Sequence, residues 1–271
     1  MHPEVSRAFG AFSERFEGRV DYFYLDILGL VTVGVGNLVD PIGEALRLAG
    51  APWFFPDQPN RVVTPDDLGT DWHAVKARQD LARAGHRAFA TIARLRLASA
   101  GIDELVARKA RAVEETLKHG TPAFGTFDSW PADAQLGLLS MAWAMGPGFA
   151  RESRWPAFRA ACTARDWRDA ALQCRMRDAG NPGLRSRNDA NVRLFTMAAA
   201  VEAQGGPWDR LTPETFARTG ALGAPRRGPV SRPAPAAARV SGRRRPAAAV
   251  ARRRARRRGD GGDVGRSGTT A

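Results

Sequence analysis

Residues 127–149, "FDSWPADAQLGLLSMAWAMGPGF", decide how the rest of the chain is read. The stretch opens with Asp128 or Ser129 in position to cap a helix and Pro131 near the first turn, and it stops at Gly146 and Pro147. Between these signals Leu136, Leu138, Leu139, Met141 and Trp143 leave no polar stripe. A helix without a polar face belongs at the buried centre of a helical domain, with other helices packed around it. The remainder after Pro65 supplies them, because apolar residues recur there at spacings of three and four. A helix is expected to start near Thr64, which caps it with Pro65 behind, and helices are expected over residues 72–84, 86–99 and 102–119. After the central helix, further helices are expected around residues 153–163, 167–176 and 189–203.

The N-terminal part has a different period. Phe9, Phe12 and Phe16 fit a helix over residues 4–16, and Gly18 follows where a helix end favours a left-handed residue, so Glu17 sits at a helix end. Residues 20–26 and 30–35 are β-branched and aromatic runs separated by "ILG", which reads as a hairpin. In the second run Val31, Val33 and Val35 share one face, and Thr32, Gly34 and Gly36 share the other. That second face is nearly bare of side chains and suits close approach of a ligand, which makes Gly34 and Gly36 candidate binding positions. The Pro- and Gly-rich residues 40–67 read as a short helix and an irregular loop. The expected fold is mainly α with a small β part: a β-hairpin lobe plus a helical lobe around a buried central helix.

Charge divides the 271-residue chain in two. Residues 1–220 are mixed in composition and carry a net charge of about +1, whereas residues 221–271 hold 14 Arg against 2 Asp and almost no large apolar residue. Such an end cannot build a core and is expected to be a disordered basic tail. It has the charge to bind nucleic acid by counterion release, or anionic surfaces such as teichoic acids, lipopolysaccharide or the inner leaflet, but no aromatic residue to stack on bases. The alternative is a solubilising extension in an Arg-rich chain that contains only three lysines. No apolar run is long enough to span a bilayer, and the N-terminus lacks a charged lead followed by an apolar core, so synthesis in the cytoplasm without Sec-type export is expected. Cys162 and Cys174 have no CxxC spacing; two buried thiols are favoured over a disulfide between them. His2, His73, His86 and His119 are scattered, so neither a metal site nor a cofactor is expected.

Glu17 at a helix end and Asp26 on the hairpin can face one cleft, with Thr32 on the adjacent strand to hold a water. Cleaving a glycosidic bond calls for one protonated carboxylic acid and a second group that activates water or stabilises positive charge on the sugar. Spacing alone also allows a solvated helix-end Glu17, with Asp26 and Thr32 as hairpin surface residues and Gly34 and Gly36 only relieving crowding.

A resemblance bears on that choice. The order Glu17, eight residues, Asp26, five residues, Thr32, followed by "VGVGN", resembles the Glu-Asp-Thr triad and T-x-G-x-G-H hairpin of the phage-type lysozymes. These are the muramidases of glycoside hydrolase family 24, best known from T-even bacteriophages, and the bacteriocin pesticin is similar. The likeness extends from Val5 to about Leu211, through the central helix, "RDWRDAALQC", "NPGLRSRNDANVRLF" and "GGPWDRL", with a longer middle portion. It implies a two-lobed lysozyme fold and hydrolysis, with inversion, of the β-1,4 bond between N-acetylmuramic acid and N-acetylglucosamine in peptidoglycan. Glu17 would be the general acid, Asp26 the carboxylate that positions or activates water, Thr32 the water's second ligand, and Arg187 a cleft arginine or a structural ion-pair partner. Two positions depart from the pattern: Asn37 stands where the family carries His, so a neutral hydrogen bond replaces an ion pair, and Ala144 stands where several relatives carry Gln. The implied protein is a monomeric endolysin paired with a holin, or an antibacterial effector met by an immunity protein, acting on peptidoglycan in the periplasm or cell wall. A silent wall-binding copy of the fold and a nucleic-acid binder acting through the tail remain the alternatives.

Overall fold

The computed structural model describes residues 1–151, 154–179, 181 and 183–213; the expectation for residues 221–271 lies outside the described residues. The chain is mainly helical, with two small antiparallel sheets.

Helix α1 (Pro3–Glu17) starts with Pro in its first turn and buries Val5, Phe9 and Phe12 along one stripe. It ends at Gly18, which adopts φ +74° and donates its N–H to the Glu14 carbonyl at 2.8 Å. Strands β1 (Val20–Leu25), β2 (Val31–Gly34) and β3 (Asn37–Leu38) follow as one sheet in that order. Tyr24 lies opposite Thr32 and Leu25 opposite Val31, and a bulge between Val20 and Tyr24 shifts the register. Val31, Val33 and Val35 are fully buried on the core side, as their alternation requires.

The chain continues through α2 (Ile42–Leu46), β4 (Trp53–Phe54) and α3 (Pro65–Lys76). Helix α3 opens on a capping box in which Thr64 and Asp67 bond each other's backbone N–H groups. Here the structure corrects the periodicity, because α3 stops at Lys76 and residues 86–98 form no α-helix. Two 3-10 turns, Gln79–Leu81 and His86–Phe89, lead instead into strand β5 (Arg96–Leu97), which pairs with β4. The cause lies across the fold: the buried Asp71 carboxylate on α3 accepts the N–H groups of Arg94 at 2.6 Å and Leu95 at 3.4 Å. That pairing satisfies backbone donors that a helix would have used, and it holds the segment extended.

Helix α4 (Ser99–Gly120) leads to α5 (Ala132–Met145), which follows Pro131 without a side-chain cap; Asp128 and Ser129, expected to cap it, are held instead in a preceding 3-10 turn. Every residue of α5 from Ala132 to Ala142 is buried, as its unstriped sequence demands. Two of its polar side chains are bonded internally: Gln135 accepts from the His2 N–H at 2.7 Å and donates to the Phe127 carbonyl at 2.9 Å, and Asp133 accepts from Thr212. Helices α6 (Pro156–Ala164), α7 (Trp167–Gln173) and α8 (Leu184–Gln204) complete the packing around it. Gly137 lets α8 come close, since a Cβ there would lie 3.0 Å from the Phe195 ring. Cys162 and Cys174 are buried free thiols, and burial pushes the Cys174 thiol up to about 12. Among the described residues no helix is long and apolar enough to cross a membrane.

Candidate active site

Glu17, the last residue of α1, sits where three helices converge. Its carboxylate forms an ion pair with Arg187 of α8, whose side chain is 2% exposed against 30% for Glu17. Arg187 also donates to the Ser140 carbonyl of α5 at 3.1 Å, and its guanidinium lies 4.6 Å from the centre of the Phe16 ring. Burial raises the Glu17 carboxyl above its ordinary pKa, and the Arg187 charge opposes that rise without cancelling it. The turn between β2 and β3 closes over the same carboxyl. Gly36 adopts φ +69°, and a Cβ on it would lie 3.0 Å from Glu17 Oε2, so a glycine is needed for both the backbone and the close approach.

The hairpin contributes the other groups through the face opposite its valines. Asp26 Oδ1 accepts the N–H groups of Leu28 at 2.8 Å and Leu30 at 2.9 Å, which fixes the carboxylate to the turn while Oδ2 carries no hydrogen bond among the described residues. Thr32 is 5% exposed and donates to the Leu30 carbonyl at 3.3 Å, so its oxygen remains an acceptor. Tyr24, directly across from Thr32, lies close enough to Glu17 and Asp26 to feel both charges. Burial, reinforced by those two carboxyl groups, raises its phenol, so Tyr24 stays neutral.

Gly34 stands elsewhere. It is buried, and a Cβ there would meet Asn37 Oδ1 at 3.0 Å and Ile102 of α4 at 3.3 Å, so its bareness serves packing against α4. Asn37 Oδ1 accepts the Val35 N–H at 3.1 Å, the neutral bond expected in place of a charged one. Trp143 of α5 ties the helices to the same turn by donating its indole N–H to the Val35 carbonyl at 3.0 Å. Ala144 follows it, partly exposed.

Glu17 thus touches both Gly36 and Arg187, and Thr32 lies across from Tyr24 on the hairpin, with Asp26 just past the end of β1. Sequence reading missed Tyr24 and Trp143. Tyr24 had a signal: it lies two residues before Asp26 on a strand, which puts both on one face. Trp143 had none, because its partner is a carbonyl 108 residues away in sequence. No group of His, Cys, Asp and Glu among the described residues is arranged to hold a metal ion. The arrangement offers one carboxyl held toward its protonated form and a second with an unbonded oxygen, which suits acid–base chemistry. Comparison with protein-family models and with curated proteins finds none that matches the chain.

Proposed function

We propose that this protein is a peptidoglycan hydrolase of lysozyme-like fold, which cleaves the β-1,4 bond between N-acetylmuramic acid and N-acetylglucosamine. In this reading the glycan strand lies between the hairpin sheet and the helices around α5. The observation that carries the reading is the Glu17 carboxyl held between Arg187 and Gly36, with burial raising its pKa. A general acid working near neutral pH needs such a raised value, because it must hold its proton until the leaving oxygen takes it.

In the proposed reaction Glu17 gives its proton to the glycosidic oxygen as the bond from that oxygen to the anomeric carbon breaks. Water held by Thr32 and the free oxygen of Asp26 adds to the anomeric carbon, and Asp26 takes the water's proton. Attack from the face opposite the leaving group inverts the centre. The ionised Asp26 also stabilises the positive charge that builds on the ring. Arg187 holds the Glu17 carboxyl in place, and Gly36 keeps the space beside it free of a side chain. Acting as an endolysin or as an antibacterial effector requires this same chemistry.

The test is muropeptide release from purified peptidoglycan by the wild-type chain and by Glu17→Gln, with mass spectrometry of the ends. New reducing N-acetylmuramic acid ends from wild type alone are expected. If both proteins sediment with the wall and neither releases anything, the hydrolase reading fails and a wall-binding role replaces it.

A further inference from the structure

A ledge of aromatic and cationic side chains leads away from the paired carboxylates, and the proposed reaction uses none of its outer part. Tyr24 is its inner end, and its ring lies 6.0 Å from that of His86. His86 Nδ1 is in turn 3.2 Å from the Tyr22 hydroxyl. Arg96 packs its guanidinium over the Tyr22 ring at 4.7 Å, and Tyr22 also feels the charges of Arg87 and Asp21.

The ledge is rigidly built. The 3-10 turn His86–Phe89 springs from Gly85 at φ +80° and is anchored by the fully buried Phe89. Arg96 clamps the following loop by donating to the carbonyls of Ala90 at 2.7 Å, Ala93 at 2.9 Å and Leu95 at 2.8 Å, and it faces Asp21 at 3.9 Å. Arg96 is therefore engaged in structure. His86 and Arg87 are exposed on this turn, and neither has a carboxylate partner among the described residues. Arg87 carries its charge on this turn with no anion of its own among the described residues, next to a histidine set against two tyrosines, and such a set points to an anion that arrives with the substrate.

We propose that His86 and Arg87, backed by Tyr22 and Tyr24, form a subsite for a carboxylate on the peptide stems of peptidoglycan. The inference rests on the hydrolase reading for its substrate and deepens it. The stems hang from the lactyl group of muramic acid, beside the bond to be cleaved, and carry free carboxylates. Arg87 supplies a guanidinium fork that matches a carboxylate, and the His86 ring nitrogen not engaged with Tyr22 supplies a second donor.

The experiment compares the full chain with Arg87→Ala and His86→Ala on two walls: intact peptidoglycan, and the same material stripped of its stems by an amidase. The replaced residues are exposed, so folding is retained. On intact wall each variant is expected to lose about tenfold in kcat/KM, the equivalent of one charge-assisted hydrogen bond, and on stripped wall less than about twofold. Equal losses on both walls, or no loss on either, overturn the subsite. Sedimentation of wild type and Arg87→Ala with the two walls reads the same difference without turnover. If the wild-type chain cleaves neither wall, the hydrolase reading falls, while a variant that binds only the intact wall less well still upholds the subsite.

Discussion

Glu17 is subject to two opposed influences, and their balance sets what it can do. Burial at the junction of α1, α5 and α8 favours its neutral form, whereas Arg187 favours the anion; burial prevails. Arg187 is itself almost fully buried, so replacing it by Met removes the charge that opposes burial at Glu17. For a general acid, activity falls as pH rises through its pKa. Arg187→Met is therefore expected to move the alkaline limb of the kcat/KM profile to higher pH, together with a lower maximum from the unanchored carboxyl. A pH–rate series on purified peptidoglycan measures it, and a limb that stays put or moves down would show that Arg187 does not tune this group. The residue types of the site were legible in the sequence because Glu17, Asp26 and Thr32 fall within one local hairpin unit. Their tuning was not, since Arg187 enters from 170 residues further along.

Among the elements, α5 and the segment after α3 show where periodicity is informative. The α5 stretch has no stripe, and the helix is buried on every side; Leu139 is fully enclosed. Leu139→Ala is expected to cost about 2–5 kcal/mol through lost contacts and a residual cavity. Leu172→Ala, on α7 and 76% exposed, is expected to stay within about 0.5 kcal/mol. Urea denaturation of the two variants beside wild type decides, and similar losses in both would mean that α5 is not the centre of the core. Residues 86–99 show the opposite case. Their apolar spacing suits a helix, yet Asp71 takes the Arg94 and Leu95 N–H groups and β4 takes Arg96 and Leu97 as sheet partners. A buried carboxylate seeking donors outweighs a spacing preference worth a few tenths of a kcal/mol per residue.

For the molecule as a whole, charge is the property to test, because nearly all of the net +13 lies in residues 221–271. Deleting them leaves about +1, so the full chain is expected to bind anionic vesicles or duplex DNA at low salt with an affinity that falls steeply as salt rises. The truncated chain is expected to bind neither, while wall hydrolysis by the two at high salt is equal. Salt-independent binding, or binding retained after truncation, would place the attraction in the folded part instead.

The sequence by itself determined the buried central helix, the N-terminal helix and hairpin, the order of the two carboxylates and the hydroxyl, and the concentration of charge in the last residues. Each of these is written in local period, turn chemistry or composition. Only the tertiary structure decided that Arg187 meets Glu17, that Gly36 covers that carboxyl while Gly34 packs against α4, and that the chain after α3 runs through 3-10 turns into a short strand. The physical reason is the same in each case: a buried charge or an unpaired backbone N–H takes its partner from whatever the folded chain brings near, and sequence spacing carries no record of that distance.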